Sequence, residues 1–149
     1  MAAERGTAGT TSTGLASAGA AGALASLAAN DANKVAIAEA GGIVPLIELV
    51  RGGSGEATNY AAVALKTLGV NAANKVAIAE AGAIAPLVEL VRSGSAVAKE
   101  HAAGALWRLA ANDASKVAIA AAGAIAPLIE LVRGGSAVAK EYAAGALHN

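Results

Sequence analysis

The sequence predicts an all-α protein in which repeated helical units stack into an elongated solenoid. Three observations carry this prediction: the composition, a constant repeat period, and a recurring order of helix caps and turns. Alanine makes up about three residues in ten, there is no Phe, and Trp and Tyr together number three. Alanine and leucine favour helices, whereas strands are enriched in aromatic and β-branched residues. The core must therefore be close-packed from small side chains.

Charge and cysteine content exclude several classes of function. Eleven Lys or Arg residues balance eleven Asp or Glu residues, so the basic surface of a nucleic-acid binder is not expected. No Cys is present, which excludes disulfides and thiolate metal sites. The uncharged stretch 6–30 has Leu15, Leu24 and Leu27 as its only large apolar residues, too few for a membrane-spanning helix. We expect neither nucleic acid nor membrane as a partner, and no cofactor.

The chain repeats itself with a fixed spacing. Pro45, Pro86 and Pro127 recur at a constant interval of 41 positions, and segments 74–108 and 115–149 differ at seven of 35 aligned positions. Such a period is the signature of a repeat architecture. It argues against a targeting peptide over most of the segment 1–30. The register predicts a disordered leader (1–12) and a solenoid (13–149) made of a partial repeat (13–31), two repeats (32–72 and 73–113) and a repeat truncated in its third helix (114–149).

Each period is predicted to contain three helices. Asn33 can cap a short first helix, and Gly41 supplies the positive φ that stops it. Pro45 stands near the start of the second helix, where a missing N–H costs nothing. Ser54 can cap a longer third helix from about residue 55 to residue 69. In that helix Ala61, Ala64, Leu65 and Leu68 recur at helical spacing. No triplet can bury its apolar face alone, so we expect the copies to stack in a right-handed solenoid.

Two segments carry a family resemblance. Residues 74–91, with Gly82 between their two predicted helices, resemble the first two helices of an armadillo repeat, and residues 102–110 resemble its third helix. The resemblance covers about residues 13–149. It implies a non-catalytic scaffold whose third helices line a concave groove for a protein or peptide partner. It also leads us to expect a cytoplasmic or nuclear location.

The resemblance implies an asparagine ladder that this chain largely lacks. Peptide-binding armadillo proteins place a Trp and, four residues later, an Asn on the groove, where the amide pairs with a peptide backbone because it offers both a donor and an acceptor. Only Asn149 fits, so capture in the nuclear-import style is not expected. The matching Asn positions here are Ser26, Thr67, Arg108 and Asn149, and the matching Trp positions are Gly22, Val63, Gly104 and Gly145.

The positions that vary between copies nevertheless indicate a docking surface. Three of the seven differences lie on the third helix, and Tyr60, His101 and Tyr142 precede the Asn-equivalent positions by two helical turns. Trp, Tyr and Arg are frequent anchors of partners. The predicted partner-binding groove therefore comprises Tyr60, Thr67, Glu100, His101, Trp107, Arg108, Tyr142 and Asn149.

Structural alternatives stand beside these assignments. Trp107 can instead fill space around Gly104, and His101 can be a passive polar surface residue. Two sets of periodic charges are expected to form solvated surfaces: the pairs Glu48–Arg51, Glu89–Arg92 and Glu130–Arg133, and the row Lys34, Lys75 and Lys116.

No catalytic constellation is apparent. The two His residues occupy different repeat positions, no phosphate-binding loop occurs, and no Ser has a base and acid placed for it. We therefore predict an interaction scaffold rather than an enzyme. A structural array is the alternative, in which uncapped ends stack head to tail into homo-oligomers.

Overall fold

The computed structural model describes residues 18–149, which fold into helices without strands. The predicted leader and the first residues of the partial repeat lie outside the described part. The ten described helices are α1 (Ala18–Leu27), α2 (Asp31–Glu39), α3 (Ile43–Gly52), α4 (Gly55–Leu68), α5 (Ala72–Glu80), α6 (Ile84–Ser93), α7 (Ala96–Leu109), α8 (Asp113–Ala121), α9 (Ile125–Gly134) and α10 (Ala137–His148).

The short helices α2, α5 and α8 each begin behind an asparagine cap. Asn30 is extended (φ −87°, ψ 131°), and its side chain accepts a hydrogen bond from the backbone N–H of Asn33 at 3.2 Å. The prediction that Asn33 is the cap is therefore wrong. Asn33 is already helical, and its amide instead donates to the Leu27 carbonyl at 3.0 Å. Asn71 and Asn112 cap the equivalent helices.

The predicted turns between the helices are confirmed. Gly41 has φ +83° and follows α2, a conformation that favours glycine because it has no Cβ. Pro45 lies in the first turn of α3. Ser54 caps α4, with its hydroxyl accepting from the backbone N–H of Ala57 at 3.3 Å.

The helices stack in two layers with the core between them. In one layer α7 packs between α4 and α10, and in the other α6 packs between α3 and α9. Within each unit the two layers meet, α6 against α7 and α9 against α10. The predicted core positions are confirmed, since all four periodic residues of α4 are buried: Ala61, Ala64, Leu65 and Leu68.

The lysine row is not a uniformly solvated surface, contrary to prediction. Lys34 is buried, and its ammonium contacts the Asp31 carboxylate at 2.9 Å. The ammonium of Lys75 donates to the Gly69 carbonyl at 2.6 Å. Free carbonyls at a helix C-terminus attract cations, which explains why Lys75 bends back onto the end of α4. Lys116 stays partly exposed and pairs with Asp113 at 3.2 Å.

The carboxylate–guanidinium pairs of the second helices do face solvent. Glu89 with Arg92, and Glu130 with Arg133, form ion pairs one turn apart with largely exposed side chains. Arg92 also donates to the Gly123 carbonyl of the next unit at 3.3 Å. Exposed pairs of this kind contribute little to stability.

None of the helices within residues 18–149 is both long and apolar enough to cross a membrane by itself. Two consecutive helices that meet at 86° are together long and apolar enough, judged by length and composition alone: Asp113–Ala121 and Ile125–Gly134.

Candidate functional site

Glycines on the long helices make room for tyrosines of the next unit. A Cβ added to Gly22 of α1 would stand 3.6 Å from the ring of Tyr60 on α4. A Cβ added to Gly104 of α7 would stand 3.0 Å from the ring of Tyr142 on α10. Each tyrosine therefore lies against the surface of the preceding long helix.

The interface between α4 and α7 is built differently. Val63 occupies the position that is glycine in the other units, and His101 occupies the tyrosine position. The Lys66 ammonium lies 3.0 Å from Nδ1 of His101, and its aliphatic stem crosses to Gly104 of α7.

Five side chains from α4, α7 and α10 meet on this face. The ammonium of Lys66 lies 5.1 Å from the ring centroid of Tyr142, and the rings of Tyr142 and Trp107 lie 5.6 Å apart at 33°. The guanidinium carbon of Arg108 lies 4.5 Å from the indole centroid. These distances are typical of cation–π and aromatic pairs. We call this set the third-helix cluster: Lys66, His101, Trp107, Arg108 and Tyr142.

Trp107 does not occupy the space predicted for it in the alternative interpretation. A Cβ on Gly145 of α10 would stand 2.7 Å from the indole Nε1, so the ring covers Gly145. The space beside Gly104 is taken by Lys66 and Tyr142 instead. The indole stays half-buried, between the core and the surface.

His101 is not a passive surface residue. It is half-buried, and burial lowers its pKa from 6.5, helped by the positive charge of Lys66 and partly offset by Glu100. A neutral imidazole can accept a hydrogen bond from the ammonium of Lys66 through Nδ1. The histidine therefore links α4 to α7.

Glu100 joins the beginnings of two long helices. Its Oε1 accepts from the hydroxyl of Ser136, the residue that caps α10, at 3.1 Å. Its Oε2 lies 3.8 Å from Nε2 of His101. One unit earlier, Ser95 and Asn59 make the equivalent contact at 3.4 Å. Glu100 therefore positions helices besides bordering the cluster.

The positive charge of Arg108 acts on Lys75. Burial lowers the pKa of Lys75, and the charge of Arg108 lowers it further. Nε of Arg108 is buried, and among the described residues it has no hydrogen-bond partner. The guanidinium is thus incompletely satisfied within residues 18–149.

The remaining predicted residues lie outside the cluster. Tyr60 lies against α1. The hydroxyl of Thr67 donates to the Val63 carbonyl of its own helix at 2.8 Å. Asn149 is exposed, and its backbone N–H bonds Gly145 at 3.3 Å. The structure thus unites four predicted residues, His101, Trp107, Arg108 and Tyr142, with Glu100 at their edge.

Sequence reasoning missed Lys66. A signal was available, because the repeat position of Lys66 holds a different residue in each unit: Ala25, Lys66, Trp107 and His148. In the part of the chain that is described, no three His, Cys, Asp or Glu side chains are placed to hold a metal ion.

Comparison with known proteins agrees with this architecture. The family model described as "Armadillo/beta-catenin-like repeat" matches residues 71–111, a segment that spans α5, α6 and α7. No curated protein sequence matches the chain significantly.

Several solved structures share the fold. One, of computationally designed armadillo repeat proteins for modular peptide recognition, is 30% identical with a TM-score of 0.81, over 89% of this chain and 57% of that one. A designed armadillo repeat protein in complex with the peptide (KR)4 is 27% identical with a TM-score of 0.79, over 87% of this chain and 55% of that one. The armadillo repeats only protein from Plasmodium falciparum is 29% identical with a TM-score of 0.72, over 77% of this chain and 50% of that one.

This chain spans little more than half the length of the two designed structures. Its described helices form an all-helical, armadillo-like solenoid. The family model and the shared fold agree with the resemblance carried by residues 74–91 and 102–110. The described chain therefore has the fold of armadillo-repeat proteins, and its residues 71–111 match the repeat of that family.

Proposed function

We propose that this protein is a non-catalytic scaffold whose long helices present a concave groove to a peptide or helical partner. The observation that carries the proposal is the third-helix cluster, in which Trp107, Arg108 and Tyr142 pack against one another at the surface of α7 and α10. Such residues are frequent hot spots of interfaces. A designed relative in complex with a peptide supports the assignment.

The repeat unit we propose is a three-helix module that recurs every 41 positions in a right-handed array. Support comes from the helices that start equivalent units, which begin at Asp31, Ala72 and Asp113. Support for the groove comes from the side-by-side packing of α4, α7 and α10, which places their outer faces on one surface. We also propose a cytoplasmic or nuclear location.

The groove is tested by selecting peptides from a displayed library on the purified protein and measuring their Kd by fluorescence anisotropy. The double variant Trp107→Ala and Arg108→Ala should weaken binding by about tenfold or more. Arg133→Ala is the matched control, because Arg133 is exposed on α9. Trp107→Phe, which preserves packing, serves if the double variant unfolds. Unchanged Kd in folded variants, or a library that yields no binder, would contradict the proposal.

A second candidate function is assembly with further copies of the chain. Residues of α9 and α10 are exposed although their equivalents one unit earlier are buried: Ile129 is 39% exposed and Val88 1%, while Leu147 is 38% exposed and Leu106 0%. At the other end of the described chain, Leu27 and Val44 are exposed. Exposed apolar side chains of this kind favour association, and a heterologous contact between the two ends would produce head-to-tail arrays.

Light scattering over a dilution series tests this second candidate. The wild-type protein should increase in mass with concentration, whereas Ile129→Glu should remain monomeric because it places a charge in the contact. Glu130→Gln, at an exposed neighbour on the same helix, is the control. A constant monomer mass at high concentration excludes this function.

A further inference from the structure

The middle lysine of the periodic row lacks the acidic partner of the other two. Lys34 pairs with Asp31 at 2.9 Å and Lys116 pairs with Asp113 at 3.2 Å. The equivalent residue before Lys75 is Ala72, and no carboxylate among residues 18–149 lies within ion-pairing distance of Lys75. Within the described part of the chain its ammonium donates to two backbone carbonyls, those of Gly69 and Val70, at 2.6 and 3.3 Å.

Arg108 reaches the same place from α7. A Cβ added to Gly69 would stand 3.2 Å from Cβ of Arg108, so the absence of a side chain at Gly69 allows the arginine to approach the end of α4. Lys75 is bonded to the carbonyl of that same glycine, so Lys75 and Arg108 both contact Gly69.

Three departures from the repeated sequence coincide at this point. Gly69 replaces the alanine found at Ala28 and Ala110, and Ala72 replaces the aspartate found at Asp31 and Asp113. Arg108 stands where the other units have Ser26, Thr67 and Asn149. Gly69 allows Arg108 to approach, Ala72 removes a negative charge, and Arg108 adds a positive charge. Together they concentrate positive charge in one layer of a chain whose formal net charge is zero.

Local titration behaviour agrees with an excess of positive charge. Besides burial, the charge of Arg108 lowers the pKa of Lys75, and the charge of Lys66 lowers the pKa of His101. Glu100, the acidic group that acts on His101, is already engaged by the hydroxyl of Ser136 at 3.1 Å. An anion from outside the described chain would therefore be attracted to this surface.

From this arrangement we infer that Lys75 and Arg108 form a carboxylate-binding site, which selects acidic segments of a peptide docked on the third-helix face. This inference rests on the proposed scaffold function and specifies its ligand. The guanidinium can bind a carboxylate through two parallel N–H groups, and its contact with the indole of Trp107 at 4.5 Å holds it in place. The ammonium adds a point charge beside it.

We expect this site to prefer acidic peptides, whereas one designed relative is found in complex with the cationic peptide (KR)4. The test uses three dye-labelled peptides of equal length: alternating Asp and Glu, their amide counterparts Asn and Gln, and alternating Lys and Arg. Fluorescence anisotropy should give a Kd for the acidic peptide about tenfold or more below that of the amide peptide, with weakening as salt rises. The basic peptide should bind more weakly than either.

Substitutions at the site itself separate charge from structure. Ala72→Asp restores the aspartate of the other units at the first position of α5, where an acid also suits the helix terminus, so the fold should be retained while acidic-peptide affinity falls about fivefold. Lys75→Gln and Arg108→Gln should each have a similar effect, and Arg108→Lys should keep part of the affinity. Two controls should leave it unchanged: Lys116→Gln, at a lysine that is already paired, and Ala32→Asp, which adds a charge one unit away.

Each outcome decides between the hypotheses. Equal affinity for the acidic and amide peptides, or an Ala72→Asp variant that binds the acidic peptide as tightly as the wild type does, would overturn the carboxylate site. If library-selected peptides of other chemistry still require Trp107, the scaffold function stands without it. If no peptide of any charge binds, the scaffold function fails as well.

Discussion

The indole of Trp107 covers Gly145 of the next long helix, with Nε1 only 2.7 Å from where a Cβ would stand. Gly145 is therefore required by its neighbour's ring rather than by its backbone, since its φ is not positive. Between α7 and α10 the pairing runs in both directions, because Tyr142 covers Gly104 in the same way.

Replacing Gly145 with Ala tests this relationship. The added methyl group would clash with three ring atoms of Trp107 at 2.7–2.9 Å, so we expect a loss of about 1–3 kcal/mol in the free energy of unfolding and a shift in tryptophan emission. Urea denaturation followed by fluorescence measures both. Gly52→Ala is the control, since nothing lies within 4 Å of its added Cβ. Equal stability of wild type and Gly145→Ala with unchanged emission would refute the packing.

Asn74 ties two successive units together. Its side-chain amide is buried and donates to the carbonyls of Lys34 and Leu68, both at 3.1 Å. Asn74→Ala should reduce the free energy of unfolding by about 1–3 kcal/mol, because two buried hydrogen bonds disappear. Asn33→Ala removes one hydrogen bond at a more exposed position, so it should reduce the free energy of unfolding by less than Asn74→Ala does. Thermal and chemical denaturation measure the difference, and a larger loss for Asn33→Ala would contradict this role.

The half-buried His101 predicts an acid-sensitive stability. Because the pKa of His101 is lowered in the folded state by burial and by Lys66, against the raising effect of Glu100, the unfolded chain takes up this proton first as the pH falls below 6.5. The unfolded state then binds more protons, so stability must decline with falling pH. We expect His101→Gln to remove part of the decline between about pH 7 and pH 5.

Denaturation midpoints across this pH range provide the measurement. His148→Gln is the matched control because His148 is exposed at the end of α10, and it should behave as the wild type does. Identical pH dependence in wild type and His101→Gln would show that His101 does not govern the acid response.

Gly82 is needed for its backbone conformation. It has φ +89°, and the nearest atom to an added Cβ is the flexible Nη2 of Arg51 at 3.7 Å, so strain rather than a clash sets the cost. Gly82→Ala should reduce the free energy of unfolding by about 1–2 kcal/mol. Gly134→Ala, at a helical glycine with open space around it, should be neutral or slightly stabilising. The two variants should thus differ in their change in unfolding free energy. Equal changes would show that position 82 does not require glycine.

Much of the fold follows from local patterns. Ser54, Gly41 and Pro45 mark helix boundaries that depend on the nearest few residues, and the apolar spacing of α4 identifies its buried face. The Asn33 prediction failed because two asparagines stand in one short segment, and backbone conformation decides that Asn30 is the cap.

What the sequence determined by itself is the helical class, the recurring order of turns and the choice of small core residues, since these depend on propensity, turn chemistry and periodic burial. The tertiary structure decided which residues meet across units: Lys66 with His101, Trp107 with Gly145, and Arg108 with Gly69. These partners lie far apart in the sequence. Their contacts depend on the offset and rotation between stacked helices, which side-chain packing fixes and no local pattern encodes.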